Sequence, residues 1–394
     1  MSTVSEIALK LNKEYKDNNL AIKANVLPTY ERLRCRDLGF SFPLWGGLPL
    51  GRICVFAGKE HSGKTTAACL QIAEYQRAFP DKTCIYVDVE HSLDLDFQAK
   101  MTGLELDKLY YVSPSNMAGE QILDMIIEFQ ESCEDVGCIV LDSIPALVSG
   151  KEIESDIEKD LGRSGNMARP LHRFTKRMAD LVSRTGNIFI FVNQVRVTGT
   201  TYTGAVVYGE PGGDAPKYYA SVKLRFGGRT FTKGDKVDVR ESDAADADGF
   251  RLTYAITKNK TGSLTRGNGG FLTFRYDTGL DYMFDNIDIC INSGLIQKPT
   301  NVTYRPINLL TGEVYVDENG NELKFVGRGK LIDYFNTHPK FKEEYMNMVL
   351  DYITKAENVT EAKDFVDANI LKSIQAEEDS VENHTEISTE SLNN

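Results

Sequence analysis

The sequence of 394 residues lacks the features of membrane, secreted and zinc-binding proteins. No apolar run reaches the roughly 18 residues of a membrane-spanning helix, and the N-terminus lacks the basic and then apolar order of a secretory signal. The seven cysteines are odd in number and include no C-x-x-C pair, which argues against a disulfide framework and against a zinc site. We therefore expect a cytoplasmic protein without a membrane partner.

Positive charge is also scarce, because 45 lysines and arginines against 57 acids leave a net charge of −12. This balance disfavours a generic nucleic-acid binder, which needs cations to contact phosphates. The charge is, however, unevenly distributed. Residues 162–184 hold six basic residues and one acid, whereas residues 376–394 hold six acids and no lysine or arginine. The acidic tail therefore supplies half of the net charge, and its polar composition predicts disorder.

Apolar residues recur with the periods of alternating strands and helices between residues 51 and 226. The predicted strands are RICVFA, TCIYVDV, LYYV, CIVLDS and NIFIFV, and the helices between them begin near residues 64, 93, 118 and 166. This alternation is typical of a mainly parallel sheet with helices on its faces. Two strands, TYAITK and FLTFRY, follow. A smaller α+β segment after residue 285 contains a predicted hairpin at Asn319-Gly320 and a helix at about 341–356.

Two further segments need a structural context before they can be interpreted. Residues 4–15 have helical apolar spacing and predict an amphipathic helix, which needs a surface to pack on. Residues 209–226, GEPGGDAPKYYASVKLRF, begin as a glycine- and proline-rich stretch that composition alone describes as a linker. Their second half, YYASVKLRF, alternates and predicts a half-buried strand.

The stretch GKEHSGKT fits the phosphate-binding pattern G-x-x-x-x-G-K-T and lies between a predicted strand and a predicted helix. Backbone N–H groups of such a loop cradle phosphates, its lysine reaches the β- and γ-phosphates, and its threonine holds Mg²⁺. The pattern therefore predicts a nucleoside triphosphate and Mg²⁺ as cofactors. The candidate nucleotide-binding residues are this stretch and the threonine after it: Gly58, Lys59, Glu60, His61, Ser62, Gly63, Lys64, Thr65 and Thr66. Asp142, which ends the strand of CIVLDS, is the candidate acid that contacts the metal through water.

Polar residues also end two other predicted strands. Asp88 and Glu90 in IYVDVE would point to the same face and could converge on one site, because strand side chains alternate. Glu90 is the candidate general base for the water that attacks the γ-phosphate, with a solvated strand end as the alternative. We expect His91 to be a local hydrogen-bonding residue. Gln194 follows IFIFV and could report the γ-phosphate to residues 195–217.

Seven motifs, in order along about residues 30–280, closely resemble the bacterial RecA recombinases, and phage counterparts of the UvsX type share much of this pattern. The motifs are GGLPLGRI, GKEHSGKTT, VDVEHSLD, IVLDSIPAL, FVNQVR, GGDAPKYYASVKLR and TKNKTG. The resemblance implies the α/β class, as a RecA-type P-loop ATPase core with a mainly parallel sheet, an N-terminal helix and a small C-terminal α+β domain. The implied activity is ATP-dependent recombination, in which the protein polymerises on single-stranded DNA and exchanges it with homologous double-stranded DNA.

The resemblance also implies four regions. Residues 1–30 would be an oligomerisation helix and linker, 31–284 the ATPase core with its DNA-binding loops, and 285–370 a domain that gathers duplex DNA. Residues 371–394 would be a disordered acidic tail that competes electrostatically with DNA. The N-terminal helix would pack on the adjacent protomer in a head-to-tail contact, so that the chain assembles as a helical homo-oligomeric filament with ATP at the subunit interface.

For the ATP site, the resemblance implies one role for each matching position. Lys64 and Thr65 match the phosphate and Mg²⁺ contacts, and Asp142 matches the metal-binding acid. Glu90 matches the catalytic glutamate. Gln194 matches the glutamine that couples the γ-phosphate to the DNA-binding loop.

Further matches extend the implied site to the base and to the neighbouring subunit. Asp94 and Phe97 match positions that hydrogen-bond and stack on adenine, although the family commonly has tyrosine where this chain has phenylalanine. Lys258 and Lys260 match a lysine pair that reaches the ATP of the adjacent protomer, as an arginine finger would. ATP hydrolysis would then depend on assembly.

Two loops match the DNA-binding loops of the family, at about residues 154–169 and 195–217. The candidate DNA contacts are Arg163, Arg169, Lys176, Arg196, Tyr208, Gly212, Gly213 and Lys217. Tyr208 is a possible wedge between bases, and the glycines would offer backbone amides to phosphates. Asp214 and Pro216 stand where the family usually has asparagine and an aliphatic residue.

Two other interpretations stay open. A RecA-fold hexameric helicase would share the ATP chemistry but close into a ring; the TKNK lysine pair and the N-terminal helix argue against it. A P-loop small-molecule kinase would use the glycine- and tyrosine-containing loop as a substrate lid and would work without DNA. For a recombinase we also expect single-strand-binding and loader proteins as partners, in a bacterial cell or in the host cytoplasm of a phage.

Overall fold

The computed structural model describes residues 2–14, 31–154, 167–200, 206–234, 236–239, 245–262 and 268–354. The chain divides into two compact units, Met1–Glu31 and Arg32–Asn394. The first unit contains α1 (Val4–Glu14), which confirms the helix predicted there. Thr3 and Glu6 cap its start reciprocally, since each side chain accepts a hydrogen bond from the other residue's backbone N–H, at 3.2 and 2.9 Å.

The second unit contains all the other described elements. Its strands are β1 (Arg32–Arg34), β2 (Gly47–Pro49), β3 (Ile53–Gly58), β4 (Thr83–Asp88), β5 (Leu109–Val112), β6 (Val136–Asp142), β7 (Ile188–Gln194), β8 (Arg196–Thr200), β9 (Val206–Gly209), β10 (Val222–Lys233), β11 (Lys236–Val239), β12 (Gly249–Asn259), β13 (Gly269–Arg275), β14 (Gly279–Leu280), β15 (Ile296–Thr300), β16 (Thr303–Pro306) and β17 (Phe325–Val326). Its helices are α2 (Leu38–Ser41), α3 (Lys64–Ala78), α4 (Leu95–Thr102), α5 (Gly119–Ser132), α6 (Gly150–Glu154), α7 (Ala168–Thr185), α8 (Ala215–Tyr219), α9 (Tyr282–Asn292), α10 (Arg328–Thr337) and α11 (Pro339–Thr354).

A ten-stranded sheet, in the order β14-β13-β12-β10-β3-β7-β6-β4-β5 with β11 paired to β10, forms the centre of this unit. The strands from β10 to β5 run parallel, and β12 to β14 are antiparallel. This arrangement confirms the α/β class and the mainly parallel sheet. None of the helices in the described ranges is long and apolar enough to cross a membrane.

Helices cover both faces of the sheet because its inner strands are apolar on both sides. Successive residues of β3 illustrate this: Cys54 and Phe56 belong to one core cluster, and Val55 and Ala57 belong to another. The first cluster includes the apolar side chains of α3, and the second includes those of α5 and α7. Near-continuous apolar strands are typical of parallel sheets buried on both faces.

The structure corrects the prediction for YYASVKLRF. Strand β10 begins only at Val222, and Ala215–Tyr219 form α8, in whose first turn Pro216 is well placed. The first five residues of β10 are all buried, because β10 lies between β3 and β12. The prediction of a half-buried strand is therefore wrong. Its polar residues, Lys223 and Arg225, are buried beside Glu210. Lys223 Nζ and Arg225 Nη1 lie 3.0 and 3.5 Å from Glu210 Oε1.

The C-terminal elements form a smaller α+β group that packs against α2 and β13. Strands β15 to β17 make a three-stranded antiparallel sheet, and α11 confirms the helix predicted near residue 341. The predicted hairpin turn is also present, closed by the Gly320 N–H, which donates to the Asp317 carbonyl oxygen at 3.0 Å. The core cluster of these elements includes Leu38, Phe42 and Phe271 from the earlier part of the chain.

A buried carboxyl pair joins these two parts. Asp37 at the start of α2 and Asp285 on α9 are both fully buried. Asp285 accepts hydrogen bonds from Arg251 at 2.8 Å and from the Thr273 hydroxyl at 2.7 Å. Burial, followed by the charge of Asp285, raises the pKa of Asp37 well above its ordinary value. Asp37 therefore retains its proton in the folded chain at pH values where the unfolded chain has lost it.

Replacing Asp37 by asparagine should therefore change the pH dependence of stability. Because the folded state binds a proton that the unfolded state releases above about pH 4, the stability of the native sequence should fall as pH rises beyond that value. Asp37→Asn removes this titration and should be more stable at pH 8 by roughly 1–3 kcal/mol, with a smaller gain at pH 5. Urea unfolding at both pH values measures this, with the exposed Asp81→Asn as the control. Parallel pH profiles for Asp37→Asn and the native sequence would contradict the assignment.

Candidate nucleotide and DNA site

The carboxyl ends of the central parallel strands bring the predicted ATP residues together. In the sheet register, Gly58 is paired with Gln194, and Asp88 is paired with Asp142. Ligands of open α/β sheets bind at this edge. A cavity of about 420 Å³ opens there. The predicted residues that line it are Glu60, His61, Gly63, Lys64, Thr65, Thr66, Glu90, Asp94, Phe97, Asp142 and Gln194.

The phosphate-binding loop joins β3 to the start of α3. Gly63 precedes α3 with a φ of 87°, and a Cβ there would collide with Leu252, so this position needs glycine. Lys64 is buried, and its Nζ donates to the Lys59 carbonyl oxygen at 2.6 Å. Burial lowers the pKa of Lys64. The loop thus presents backbone N–H groups, a helix N-terminus and one desolvated cation to the cavity.

Thr65 and Asp142 form the candidate Mg²⁺ pair. The Thr65 hydroxyl donates to Asp142 Oδ2 at 2.8 Å, and the Tyr86 hydroxyl donates to the same oxygen at 2.5 Å. Burial raises the pKa of Asp142 to about 6, although these two hydrogen bonds oppose the rise. A hydroxyl and one carboxylate fit a Mg²⁺ ion that takes its other ligands from phosphates and water. The sequence pattern missed Tyr86, although it lies two residues before Asp88 in the motif that supplies Glu90.

Glu90 belongs to a hydrogen-bonded chain that leaves the cavity. Gln194 Nε2 donates to Glu90 Oε1 at 2.7 Å, and the Ser143 hydroxyl donates to the same oxygen. Arg196 Nη2 in turn donates to Gln194 Oε1 at 3.5 Å. Arg196 begins β8, which pairs with β9 as an antiparallel hairpin. These hydrogen bonds therefore connect Glu90, the candidate base, to the segment predicted to bind DNA. Ser143 was missed by the sequence reasoning, although it directly follows Asp142.

Asp88 and Glu90 both lie close enough to Asp142 to raise its pKa, but only Glu90 lines the cavity. The strand alternation from which their convergence was predicted is wrong. Strand β4 ends at Asp88, so strand alternation does not extend to Glu90. Asp88 is buried and accepts hydrogen bonds from the Ser92 and Leu93 N–H groups, at 3.0 Å each. It therefore shapes the turn that follows β4. His91 in this turn lies 2.6 Å from the Ser113 hydroxyl, which confirms its local hydrogen bonding.

Asp94 and Phe97 lie at the start of α4, on the rim of the cavity. Asp94 is the residue that caps α4, and its carboxylate accepts a hydrogen bond from the Phe97 N–H at 2.9 Å. The Phe97 ring is 40% exposed. An exposed ring beside a carboxylate provides a stacking surface and an acceptor for a base.

The lysine pair lies at the other end of the strands. Lys258 is paired with Lys223 near the start of β10, and does not line the cavity. Its Nζ donates to the carbonyl oxygens of Lys217 and Tyr218, at 2.5 and 3.1 Å. Lys260 also donates to the Tyr218 carbonyl oxygen, at 3.1 Å. Burial and the charge of Lys260 lower the pKa of Lys258 to about 8. The structure therefore does not bring the pair to the nucleotide cavity of its own chain.

The candidate DNA contacts are only partly described. Arg163 lies outside the described residues, as does the side chain of Tyr208 in β9. Gly212 and Gly213 have φ values of 97° and 73°, and a Cβ on Gly212 would be 2.5 Å from the Ile144 side chain. Lys217 lies in α8. The glycines thus form a tight turn packed on the core.

The exposed cations Arg169 and Lys176 share one face of α7. Toward the C-terminal end of this helix, Arg177 is paired with Glu131 at 2.7 Å, and Arg184 with Asp180 at 3.1 Å. The cations available to phosphate therefore lie at the N-terminal half of α7, next to the first predicted DNA loop.

Comparison with known proteins gives a consistent family assignment. The family model of the RecA N-terminal domain matches residues 32–263. Curated proteins named Protein RecA are also similar: that of Deinococcus radiodurans is 32% identical over 321 residues, covering 80% of this chain and 78% of the relative. That of Acinetobacter baylyi is 29% identical over 367 residues, covering 90% and 93%. That of Campylobacter fetus is 39% identical over 223 residues, covering 55% and 57%. Since the family match spans more than half of its length, the chain belongs to the RecA family.

Proposed function

We propose that the protein is an ATP-dependent homologous recombinase. It polymerises on single-stranded DNA as a helical filament, pairs that strand with homologous duplex DNA, and hydrolyses ATP when DNA is bound. These activities serve DNA recombination and repair. Support comes above all from the hydrogen-bonded chain Glu90–Gln194–Arg196, because it connects the candidate catalytic base with the DNA-binding segment.

In the proposed reaction the phosphate-binding loop holds ATP through its backbone N–H groups and Lys64. Mg²⁺ held by Thr65, and by Asp142 through water, would neutralise charge on the phosphates. Glu90 accepts the proton of the water that attacks the γ-phosphorus, and ADP and phosphate leave. Asp94 and Phe97 hold the adenine.

The DNA side of the proposal uses the two loops. Arg169 and Lys176 on α7 and Arg196 on β8 contact phosphates, together with Lys217 and the backbone amides of the glycine turn; Arg163 and Tyr208 complete the predicted set. Binding of DNA at Arg196 reorients Gln194, and Gln194 in turn orients Glu90 toward the attacking water. Residues 1–30 build the filament, 285–370 gather duplex DNA, and the acidic tail competes with DNA for basic surface. Single-strand-binding and loader proteins are the proposed accessory partners.

Lys258 and Lys260 are proposed to act on the ATP of the adjacent subunit. A Lys258→Ala/Lys260→Ala variant and a Glu90→Gln variant should each be inactive as ATPases. When the two variants are mixed in equal amounts with single-stranded DNA, about a quarter of the head-to-tail interfaces should combine intact lysines with an intact Glu90. ATP hydrolysis by the mixture should therefore recover to about that fraction of the native rate. A mixture as inactive as its components would rule out action in trans.

Electron microscopy tests the assembly. The protein with single-stranded DNA and a non-hydrolysable ATP analogue should form helical filaments, and omission of the nucleotide should abolish their extended form. Closed six-membered rings would instead support the hexameric helicase, an alternative that the similarity to RecA proteins disfavours.

A further inference from the structure

Arg229 lies in the ATP cavity but belongs to none of the motifs that predicted the site. It lines the same cavity as Lys64, Thr65 and Phe97. Among the described residues, one lysine and one arginine line this cavity, Lys64 and Arg229. Four acids also line it: Glu60, Glu90, Asp94 and Asp142. A nucleoside triphosphate brings further negative charge, which Lys64 and the proposed Mg²⁺ would otherwise have to balance without a second side-chain cation.

A β-bulge directs Arg229 toward the phosphate-binding loop. The register between β10 and β12 shifts after Phe226, where Gly227 is extra, and Gly228 has a φ of 143°. A one-residue shift turns all following side chains to the other face of the sheet. Without it, Arg229 would point away from the face of Phe226; with it, Arg229 lies opposite Leu252, on the face that both Phe226 and Leu252 share.

The neighbours of Arg229 place this face beside the phosphate-binding loop. Residues directly opposite each other in an antiparallel pair project to the same side, so Arg229 projects with Leu252. The Leu252 side chain packs against Gly63 of the phosphate-binding loop. The Arg229 guanidinium lies over the rings of Phe231 and Phe250, with its central carbon 5.8 and 5.9 Å from the two ring centroids. No ion pair of Arg229 occurs among the described residues.

We infer that Arg229 binds the phosphate chain of the nucleotide held by its own subunit. The two glycines before Arg229 then have a specific role, because the bulge they form directs the Arg229 side chain into the cavity. A guanidinium suits this role, since it donates several hydrogen bonds to phosphate oxygens in one plane. The inference rests on the proposed ATP site but not on the DNA chemistry.

Nucleotide binding without DNA tests this inference. Titration of a fluorescent ATP analogue into the full chain should show a dissociation constant for Arg229→Ala about tenfold or more above the native value. Arg229→Lys should lie between the two. The matched control is Lys233→Ala, which removes another exposed cation of β10 that pairs with Asp246 outside the cavity; its affinity should equal that of the native chain.

Two results would overturn the inference. One is native nucleotide affinity in Arg229→Ala, which would overturn the inference whether or not DNA-dependent hydrolysis falls. A fall in that hydrolysis would place Arg229 at a contact formed only in the filament. The other is an equal loss of affinity for adenosine and for the triphosphate, because that places Arg229 on the nucleoside. Arg229 is exposed, so thermal unfolding of its variants should match the native chain within a few degrees. Failure here leaves the recombinase proposal intact, whereas loss of DNA dependence in the native chain would remove that proposal alone.

Discussion

Glu90→Gln is expected to lower DNA-stimulated ATP hydrolysis by roughly two to four orders of magnitude, the range for loss of a general base. Glutamine keeps the size of the side chain and can still accept the hydrogen bond that Gln194 donates to Glu90. Binding of ATP and of single-stranded DNA should therefore stay close to native. Steady-state hydrolysis with saturating DNA measures the effect.

The control for Glu90→Gln is Glu128→Gln, which neutralises an exposed acid on α5. Its hydrolysis rate should equal the native rate. If Glu90→Gln keeps more than about a tenth of the native turnover, Glu90 is not the base. If it loses nucleotide binding as well, Glu90 holds the ligand and does not act on water.

Gln194→Ala is expected to uncouple DNA binding from hydrolysis. The substitution removes the link between Glu90 and Arg196 but leaves the phosphate-binding loop unchanged. Stimulation of ATP hydrolysis by single-stranded DNA should fall roughly 10- to 100-fold, the value of one hydrogen bond to a charged group. The rate without DNA should change little.

A ratio separates this effect from simple loss of activity. The measurement is the hydrolysis rate with DNA divided by the rate without it, for Gln194→Ala and for Gln297→Ala, which alters an exposed glutamine on β15. Native stimulation in Gln194→Ala would show that the signal from DNA reaches the ATP site by another route.

Much of the fold could be predicted from the sequence because the central strands and helices have clear periods. Strands β3, β4, β6 and β7 were predicted as apolar runs because they are buried on both faces. The same reasoning failed for β10, where the alternation of Lys223 and Arg225 with apolar residues suggested that one face of the strand is exposed to solvent. Glu210 supplies the missing charge from 13 and 15 residues away, and periodicity does not contain that information.

The site could be predicted where residues act through local spacing. The phosphate-binding loop is contiguous, so its pattern sufficed. Contacts across the sheet depend on strand order and register, which local spacing does not contain. Gln194 and Glu90 are 104 residues apart in sequence, yet Gln194 Nε2 donates a hydrogen bond to Glu90 Oε1. Arg229 shows the limit most clearly, because its direction depends on a bulge of a single residue. The strand alternation that was used to place Asp88 beside Glu90 failed for a related reason, since the strand ends between them.

Strand exchange by the native protein tests the central claim most directly. The measurement is transfer of a labelled single strand into a duplex, with ATP and Mg²⁺, using one homologous duplex and one heterologous duplex of equal length and base composition. The proposed function predicts exchange with the homologous duplex only, and its loss when ATP is omitted. An absence of exchange with the homologous duplex under conditions of filament formation, or equal transfer with both duplexes, would contradict it.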